Sequence, residues 1–259
     1  MKILLTNDDG YAAPGILALY KILKSRYEVV LVAPNREKSA SGHSITLKYP
    51  MGIEEIDLGG GEKGYAVDGT PADCVKLALS KIFPRIFNGP PDLVVSGINP
   101  GCNVGVDINY SGTAAAAREG ALNGLSSIAV SIKTGKAMDF INMARFTADL
   151  AHKVVSSGLP SATFLNVNAP DIPLSQVSGV KITRQSLANL TTVFEEHPES
   201  GPGRFYQYGA LAQGSDEPGT DVHALAHRNI SITPITCDTT DYKTVEEIRA
   251  LELSWGMEN

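Results

Sequence analysis

The chain has 259 residues, 43% hydrophobic and 19% charged, which is typical of a globular protein with one large domain or two modest ones. Its formal net charge of -6 argues against sequence-independent binding of DNA or RNA, because such binding needs a basic face. Three widely spaced cysteines exclude a disulfide framework, and no apolar run approaches the roughly 20 residues that cross a bilayer. With no evident signal peptide, we expect a cytoplasmic protein that binds neither a nucleic-acid duplex nor a membrane.

The first strand and its loop form the first candidate site. An apolar run, Ile3 to Leu5, predicts a buried strand that stops at the turn-forming residues 7–10, and the apolar spacing from Gly15 to Leu23 predicts a helix. Ligands of open α/β sheets bind at the carboxyl ends of the strands, where Asp8 and Asp9 stand. Adjacent carboxylates repel each other unless a cation lies beside them, so we weigh a hard divalent cation against a solvated turn.

The next segment predicts a second parallel strand followed by a polar loop. Residues 28–33 are apolar after Glu28 and should pair in parallel with the first strand. The loop from Asn35 to Ser44 carries several hydroxyls and His43. Short strands are predicted at 45–57 and 63–67, and Thr70 and Pro71 predict the N-cap and first position of a helix.

A third parallel strand, residues 92–96, is predicted to end in a glycine-rich loop that contains Asn99 and Asn103. Ser111-Gly112-Thr113 then precedes a strong helix-forming stretch. The unpaired N–H groups and the dipole at a helix start favour an anion such as phosphate, but simple N-capping by Ser111 or Thr113 explains the pattern equally well.

A strand at 128–131, a helix at 140–155 and a strand at 163–167 complete the pattern. Residues 1–168 therefore predict an α/β catalytic core, with a Rossmann-like doubly wound and mostly parallel sheet. Residues 169–259 predict a β-rich extension that caps the site or contacts another subunit, with one late helix at 244–253. Its predicted strands are 180–183, 205–208, 221–225 and 230–235, and the segments 204–208 and 221–235 should form a hairpin.

If the three parallel strands are neighbours, their loops meet at one edge of the sheet. The oxygen ligands gathered there suit Mg²⁺ or Mn²⁺ and do not suit a closed structural zinc site. The candidate metal ligands are Asp8, Asp9, Ser39 and Asn99. For Ser39 or Asn99 taken alone, ordinary hydrogen bonding within a loop is the better explanation. A metal beside a helix start suits phosphoryl chemistry.

Five segments of the sequence match a known protein family. In chain order they are ILLTNDDGYAAPGI from Ile3, APNREKSASGHSIT from Ala33, DGTPADCVKLAL from Asp68, VVSGINPGCNVGVDINYSGTAAAAREG from Val94 and, more weakly, GTDVHALAHRNISITPIT from Gly219. Together they resemble the stationary-phase survival protein SurE family of metal-dependent phosphatases, also called 5'-nucleotidases. There are two departures from the family pattern. Ala114 stands where the family tends to have Val, and residues 227–229 replace a Gly-aromatic turn, which bears on substrate preference and subunit contacts.

The resemblance implies one divalent cation per subunit, held by the four candidate ligands, and hydrolysis of nucleoside monophosphates to nucleoside and phosphate. It also implies activity on other phosphomonoesters, 3'-nucleotides and short polyphosphate. A homodimer or homotetramer with exchanged C-terminal elements is implied as well.

Our mechanistic hypothesis from the sequence is direct hydrolysis by water, with Asp8 or Asp9 as the catalytic carboxylate. The candidate phosphate-binding residues are Ser111, Gly112, Thr113, Asn103 and His43. His43 could instead be a structural donor. An aspartyl-phosphate intermediate is a rival route, although the enzymes that use it carry D-x-D. A non-catalytic, metal-dependent nucleotide-binding protein is the alternative function. A dinucleotide oxidoreductase is disfavoured because G-x-G-x-x-G is absent after the first strand.

Overall fold

A computed structural model describes residues 1–187, 191–197, 201, 203–210 and 217–251. Its strands are β1 (Lys2–Thr6), β2 (Glu28–Pro34), β3 (Ile53–Gly59), β4 (Glu62–Val67), β5 (Leu93–Pro100), β6 (Ser126–Ile132), β7 (Thr163–Ala169), β8 (Gly179–Ile182), β9 (Thr191–Glu196), β10 (Phe205–Ala210) and β11 (Asn229–Thr236). Nine of them form one sheet in the order β3-β4-β2-β1-β5-β6-β7-β11-β8. Neighbours in this sheet are parallel except β3 with β4 and β11 with β7.

Helices cover both faces of the sheet. They are α1 (Pro14–Lys24), α2 (Pro71–Leu77), α3 (Phe83–Phe87), α4 (Gly112–Leu122), α5 (Phe140–Ser157), α6 (Asp221–Ala226) and α7 (Tyr242–Arg249). A π-helical turn, Ala78–Ile82, joins α2 to α3, and short 3₁₀ helices span Gly105–Asn109 and Leu174–Gln176. The predicted α/β class with a doubly wound, mostly parallel sheet is therefore confirmed.

The central strand shows why its sequence is a continuous apolar run. Ile3 and Leu5 pack with α1 and α5 on one face, whereas Leu4 packs with α2 and α4 on the other. All three side chains are fully buried. A parallel strand covered on both faces needs apolar residues throughout, because successive side chains point to opposite faces.

The pairing of β1 with its neighbours positions three loops at one edge. Leu5 lies opposite Leu31 of β2 and Val95 of β5, so these parallel strands run in the same direction and end close together. The loops that follow them therefore meet beyond their carboxyl ends, as the sequence predicts.

Several local predictions are confirmed. The two predicted strands at 45–57 and 63–67 form the antiparallel pair β3–β4, although β3 begins only at Ile53. Thr70 caps α2 in a capping box with Asp73, and Pro71 is the first helical residue.

The last third of the chain differs from the prediction. Residues 221–225 belong to helix α6, because the Thr220 hydroxyl accepts the backbone N–H of His223 and starts a helix there. The prediction of a strand at this point, and of a single late helix, was wrong. The late helix α7 begins at Tyr242 and ends at Arg249, and residues 252 and 253 of the predicted helix lie outside the described residues.

The predicted hairpin between 204–208 and 221–235 was also wrong. β10 pairs with β9, and β11 joins the central sheet beside β7. The division of the chain at residue 168 stays a prediction. Within the described ranges, no helix has the length and apolar character to cross a membrane.

Candidate functional site

A pocket of about 320 Å³ lies where the loops after β1, β2 and β5 meet the start of α4. Its lining residues are Asp8, Asp9, Glu37, Ser39, Ala40, Asn99, Pro100, Cys102, Asn103, Asp107, Tyr110 and Ser111. A larger cavity of about 610 Å³ lies elsewhere, beside β3 and the π-helical turn, and half of its lining residues are Ile or Leu. The smaller pocket is the candidate site, because it gathers the carboxylates and the other oxygen ligands.

A tight turn fixes the two adjacent aspartates. The side chain of Asn7 donates to the carbonyl oxygen of Gly10 at 2.9 Å and accepts the Gly10 N–H at 3.2 Å. Gly10 has φ of +100°, a conformation that glycine adopts without strain. The Asp8 carbonyl accepts the backbone N–H of Lys38 at 2.7 Å, which joins the first loop to the second.

Asp8 is buried against the start of α4. The Thr113 hydroxyl donates a short hydrogen bond to Asp8 Oδ1. At Gly112, an added Cβ would lie 2.7 Å from the Asp8 Cβ and 2.9 Å from the Ser41 hydroxyl. Only a glycine therefore allows this close approach between the helix and the carboxylate.

In the part of the chain that the structure describes, no Lys, Arg or His lines the pocket beside the two carboxylates. Burial raises the pKa of Asp8 above its ordinary value. Burial, and next the charges of Asp8 and Glu37, raise the pKa of Asp9 to about 7. Asp9 Oδ2 is buried and has no hydrogen-bond partner among the described residues. A cation beside Asp9 would offset this charge and satisfy the unpaired oxygen.

Asn99 lies near the end of β5, which runs further than the predicted strand, and Ser39 lies in the loop after β2. The pairing of β5 with β6 shifts in register between Ser96 and Asn99, and such irregularities re-aim side chains. The Asn99 amide nitrogen donates to the Gly101 carbonyl at 2.7 Å, which leaves its amide oxygen as the available ligand. Ser39 is exposed, and its hydroxyl donates to Glu37 at 2.7 Å, so its oxygen lone pairs stay available.

The predicted phosphate-binding residues fall into two groups. Ser111 and Asn103 line the pocket, and Ser111 also caps α4 by accepting the Ala114 N–H at 3.0 Å. Gly112, Thr113 and His43 are not among the lining residues. Thr113 is engaged with Asp8, and His43 Nε2 lies 2.9 Å from a carboxylate oxygen of Glu119.

A buried polar network supports Asn103 from below. Its side-chain nitrogen donates to Ser131 at 2.8 Å, and its backbone N–H donates to the Asn168 side chain at 2.8 Å. Its carbonyl accepts the side-chain amides of Asn166 and Asn168. Further along this loop, the Gly105 N–H donates to the buried carboxylate of Asp221 on α6 at 2.8 Å.

Sequence reasoning missed two acidic residues of the pocket. Glu37 lies two residues before Ser39, and Asp107 lies four residues before Ser111. Burial raises the pKa of Asp107. Their closeness in sequence to candidate ligands is the signal that could have identified them. The pocket therefore gathers four carboxylates, and none of its lining residues is Lys, Arg or His.

The arrangement fits a magnesium-type cation. Within the described residues, no group of three or more His, Cys, Asp or Glu side chains could hold a metal by itself. The candidate set has two carboxylates, a hydroxyl and an amide oxygen. Mg²⁺ is usually bound by one or two carboxylates, with water and substrate phosphates completing its shell. The unpaired Asp9 oxygen and the oxygen-only donors meet that description.

The fold and site define a class of protein: a doubly wound α/β protein with an acidic pocket at the carboxyl edge of its parallel strands. The chain belongs to the Survival protein SurE family, whose model matches residues 3–192.

Two relatives called 5'-nucleotidase SurE illustrate the similarity. The one from Desulfatibacillum aliphaticivorans is 44% identical over 250 residues, covering 96% of this chain and 97% of the relative. The one from Carboxydothermus hydrogenoformans is 42% identical over 255 residues, covering 96% and 95% respectively. The crystal structure of the SurE protein from Aquifex aeolicus has a TM-score of 0.83 and 40% identity, and the match covers 98% of this chain and all of that one.

Proposed function

We propose that this protein is a 5'-nucleotidase, a phosphatase that hydrolyses nucleoside monophosphates with the help of Mg²⁺ or Mn²⁺. The observation that carries the proposal is the pair of adjacent carboxylates, buried Asp8 beside the start of α4 and half-buried Asp9, in a pocket of four carboxylates. A phosphate dianion would be repelled from such a pocket unless a cation stood in it. The family membership and the names of the relatives support the same activity.

Asp8, Asp9, Ser39 and Asn99 would hold the cation. When bound, it would polarise the phosphoryl group and offset charge that develops on the phosphate oxygens. Asp8 is fixed by Thr113 and so has one orientation. No hydrogen bond within the described residues fixes the Asp9 carboxylate, so with Oδ2 on the cation its other oxygen could accept a proton from a water that attacks phosphorus.

Phosphate binding is proposed at the start of α4. The Ser111 side chain and the backbone N–H groups of Gly112 and Thr113 stand where the helix dipole favours an anion. Asn103 completes this group from the pocket wall. As phosphorus gains the attacking oxygen, its bond to the ester oxygen breaks, and the nucleoside leaves as an alcohol once that oxygen has taken a proton from solvent. Activity on 3'-nucleotides, other phosphomonoesters and short polyphosphate is part of the proposal, as are the cytoplasmic location and the homo-oligomeric state.

The proposal is tested by a panel of phosphomonoesters crossed with Mg²⁺, Mn²⁺, Co²⁺ and Zn²⁺. We expect phosphate release from AMP and related 5'-nucleotides with Mg²⁺ or Mn²⁺, and loss of this activity on chelation. Calorimetry with AMP in the same buffers separates binding from turnover. Metal-dependent binding of AMP without phosphate release would favour the non-catalytic alternative, and release that survives chelation would contradict the metal site.

Gly112→Ala should reduce phosphate release by about 100-fold, because a shift of roughly 1 Å in a catalytic group costs that much. The new methyl group would overlap Asp8 and Ser41, so the helix start and the carboxylate must move apart. Gly89→Ala is the matched control, since an added Cβ there meets nothing within 4 Å. Equal activity of the two variants would show that the close approach at Gly112 is not needed.

A further inference from the structure

The loop that carries Ser39 contains no helix or strand between residues 35 and 52. Its first part makes three backbone hydrogen bonds to other segments: the N–H groups of Asn35, Lys38 and Gly42 donate to the carbonyls of Val67 at 2.8 Å, Asp8 at 2.7 Å and Tyr110 at 2.9 Å. The position of Ser39 relative to Asp8 therefore depends on what fixes this loop from outside.

A buried carboxylate of α4 supplies such a contact. Glu119 is only 5% exposed, and its oxygens bind His43 Nε2 at 2.9 Å, Lys76 Nζ at 3.2 Å and Asn123 Nδ2 at 2.9 Å. A buried carboxylate is costly unless it is paired, and here three groups surround it. The hydrogen bond from His43, followed by those from Lys76 and Asn123, keeps the pKa of Glu119 at about 2 against the opposing effect of burial.

The contact between His43 and Glu119 differs from the other hydrogen bonds that hold the loop. The Thr70 hydroxyl donates to the Ser44 carbonyl at 2.7 Å, and Asp73 accepts from Thr46 at 2.7 to 3.1 Å. These bonds hold the part of the loop that runs towards β3. His43 lies only four residues after Ser39, and it joins that segment to the helix whose first turn binds Asp8.

We infer that Glu119 is a positioning residue for the metal site: by holding His43, it fixes the segment from Ser39 to His43 against α4. This inference rests on the proposed function, because it assumes that Ser39 is a ligand of the cation. It gives His43 a part in placing the loop instead of a contact with phosphate. Glu119 touches neither substrate nor metal in this arrangement, since it acts through His43.

The test is a Mn²⁺ titration of the full chain by calorimetry, with thermal unfolding of each metal-free variant to check folding. We expect Glu119→Ala and His43→Ala each to weaken Mn²⁺ binding by about tenfold or more, the range seen when outer contacts of a metal site are lost. The double variant should bind about as weakly as either single one, because both remove the same contact. His43→Gln should restore affinity, since its amide nitrogen can replace Nε2 as the donor.

Lys76→Met is the matched control. It removes another partner of Glu119 that belongs to α2 and not to the loop, so Mn²⁺ affinity should stay unchanged. The inference is overturned if His43→Ala binds Mn²⁺ like the unaltered chain, if Lys76→Met weakens binding as much, or if the two alanine effects add. Should Glu119→Ala fail to fold, the comparison of His43→Ala with His43→Gln decides. Failure of the unaltered chain to bind Mn²⁺ would instead overturn the proposed function, and this inference with it.

Discussion

Asp8→Asn is expected to reduce phosphate release by roughly 1,000-fold, the scale of loss when one electrostatic catalytic group is removed. The substitution keeps the size of the side chain, and the Thr113 hydroxyl can still donate to an amide oxygen. What it removes is the negative charge that would bind the cation. The measurement is phosphate release from AMP at saturating Mn²⁺, together with the Mn²⁺-induced rise in Tm, which should disappear.

The control for this change is Asp149→Asn. Asp149 is an exposed carboxylate of α5 that pairs with Arg26, far from the pocket, so activity and metal response should be kept. If Asp8→Asn released phosphate at the rate of the unaltered chain, the assignment of the site would be wrong.

Asp9→Asn is expected to stabilise the metal-free protein at neutral pH while abolishing its stabilisation by Mn²⁺. The pKa of Asp9 is raised to about 7 in the folded chain from 3.8, so the folded state holds a proton that the unfolded state releases. The contribution of Asp9 to the free energy of unfolding is therefore largest below about pH 4, and it is lost as the pH rises through about 7. Tm of the metal-free protein should drop by several degrees between pH 5 and pH 8.

The amide of Asp9→Asn cannot ionise, so the decrease of Tm between pH 5 and pH 8 should be smaller in this variant. Asp107→Asn is an informative comparison, because burial also raises the pKa of Asp107, but Asp107 is not a candidate ligand. It should keep the Mn²⁺-induced rise in Tm that Asp9→Asn loses. A steeper decrease of Tm with pH in Asp9→Asn than in the unaltered chain would refute the charge argument.

The sequence predicts the central sheet because each of its strands is marked by residues within the strand itself and the turn that follows. The buried run Ile3 to Leu5 can only be a strand covered on both faces, and the turn formers after it place two carboxylates at the correct end. The segment 221–225 was predicted as a strand because it is short and roughly alternates polar and apolar residues. In the structure it is helical, because Thr220 caps a helix that begins at Asp221. The partner of β10 was also missed, because no strand was predicted at residues 191–196, where only Val193 and Phe194 are apolar, although β9 is the strand directly before β10 in the chain.

The site was predictable only in part, for a related reason. Strand endings identify which loops meet, and so they suggest Asp8, Asp9, Ser39 and Asn99. They do not show that Thr113 turns towards Asp8, because that requires the angle at which α4 approaches β1. Nor do they show which carboxylates of the loops face inward.

The polar network beneath Asn103 has a consequence for the order in which the protein matures. Asn166 and Asn168 stand on β7, and the outer neighbour of that strand is β11, which spans residues 229–236. The Gly105 N–H, further along the loop of Asn103, donates its hydrogen bond to Asp221. During synthesis, Asp8 and Asp9 are therefore made well before the residues that support the loop carrying Asn103 and Gly105, so the pocket is complete only once β7 and Asp221 have been translated.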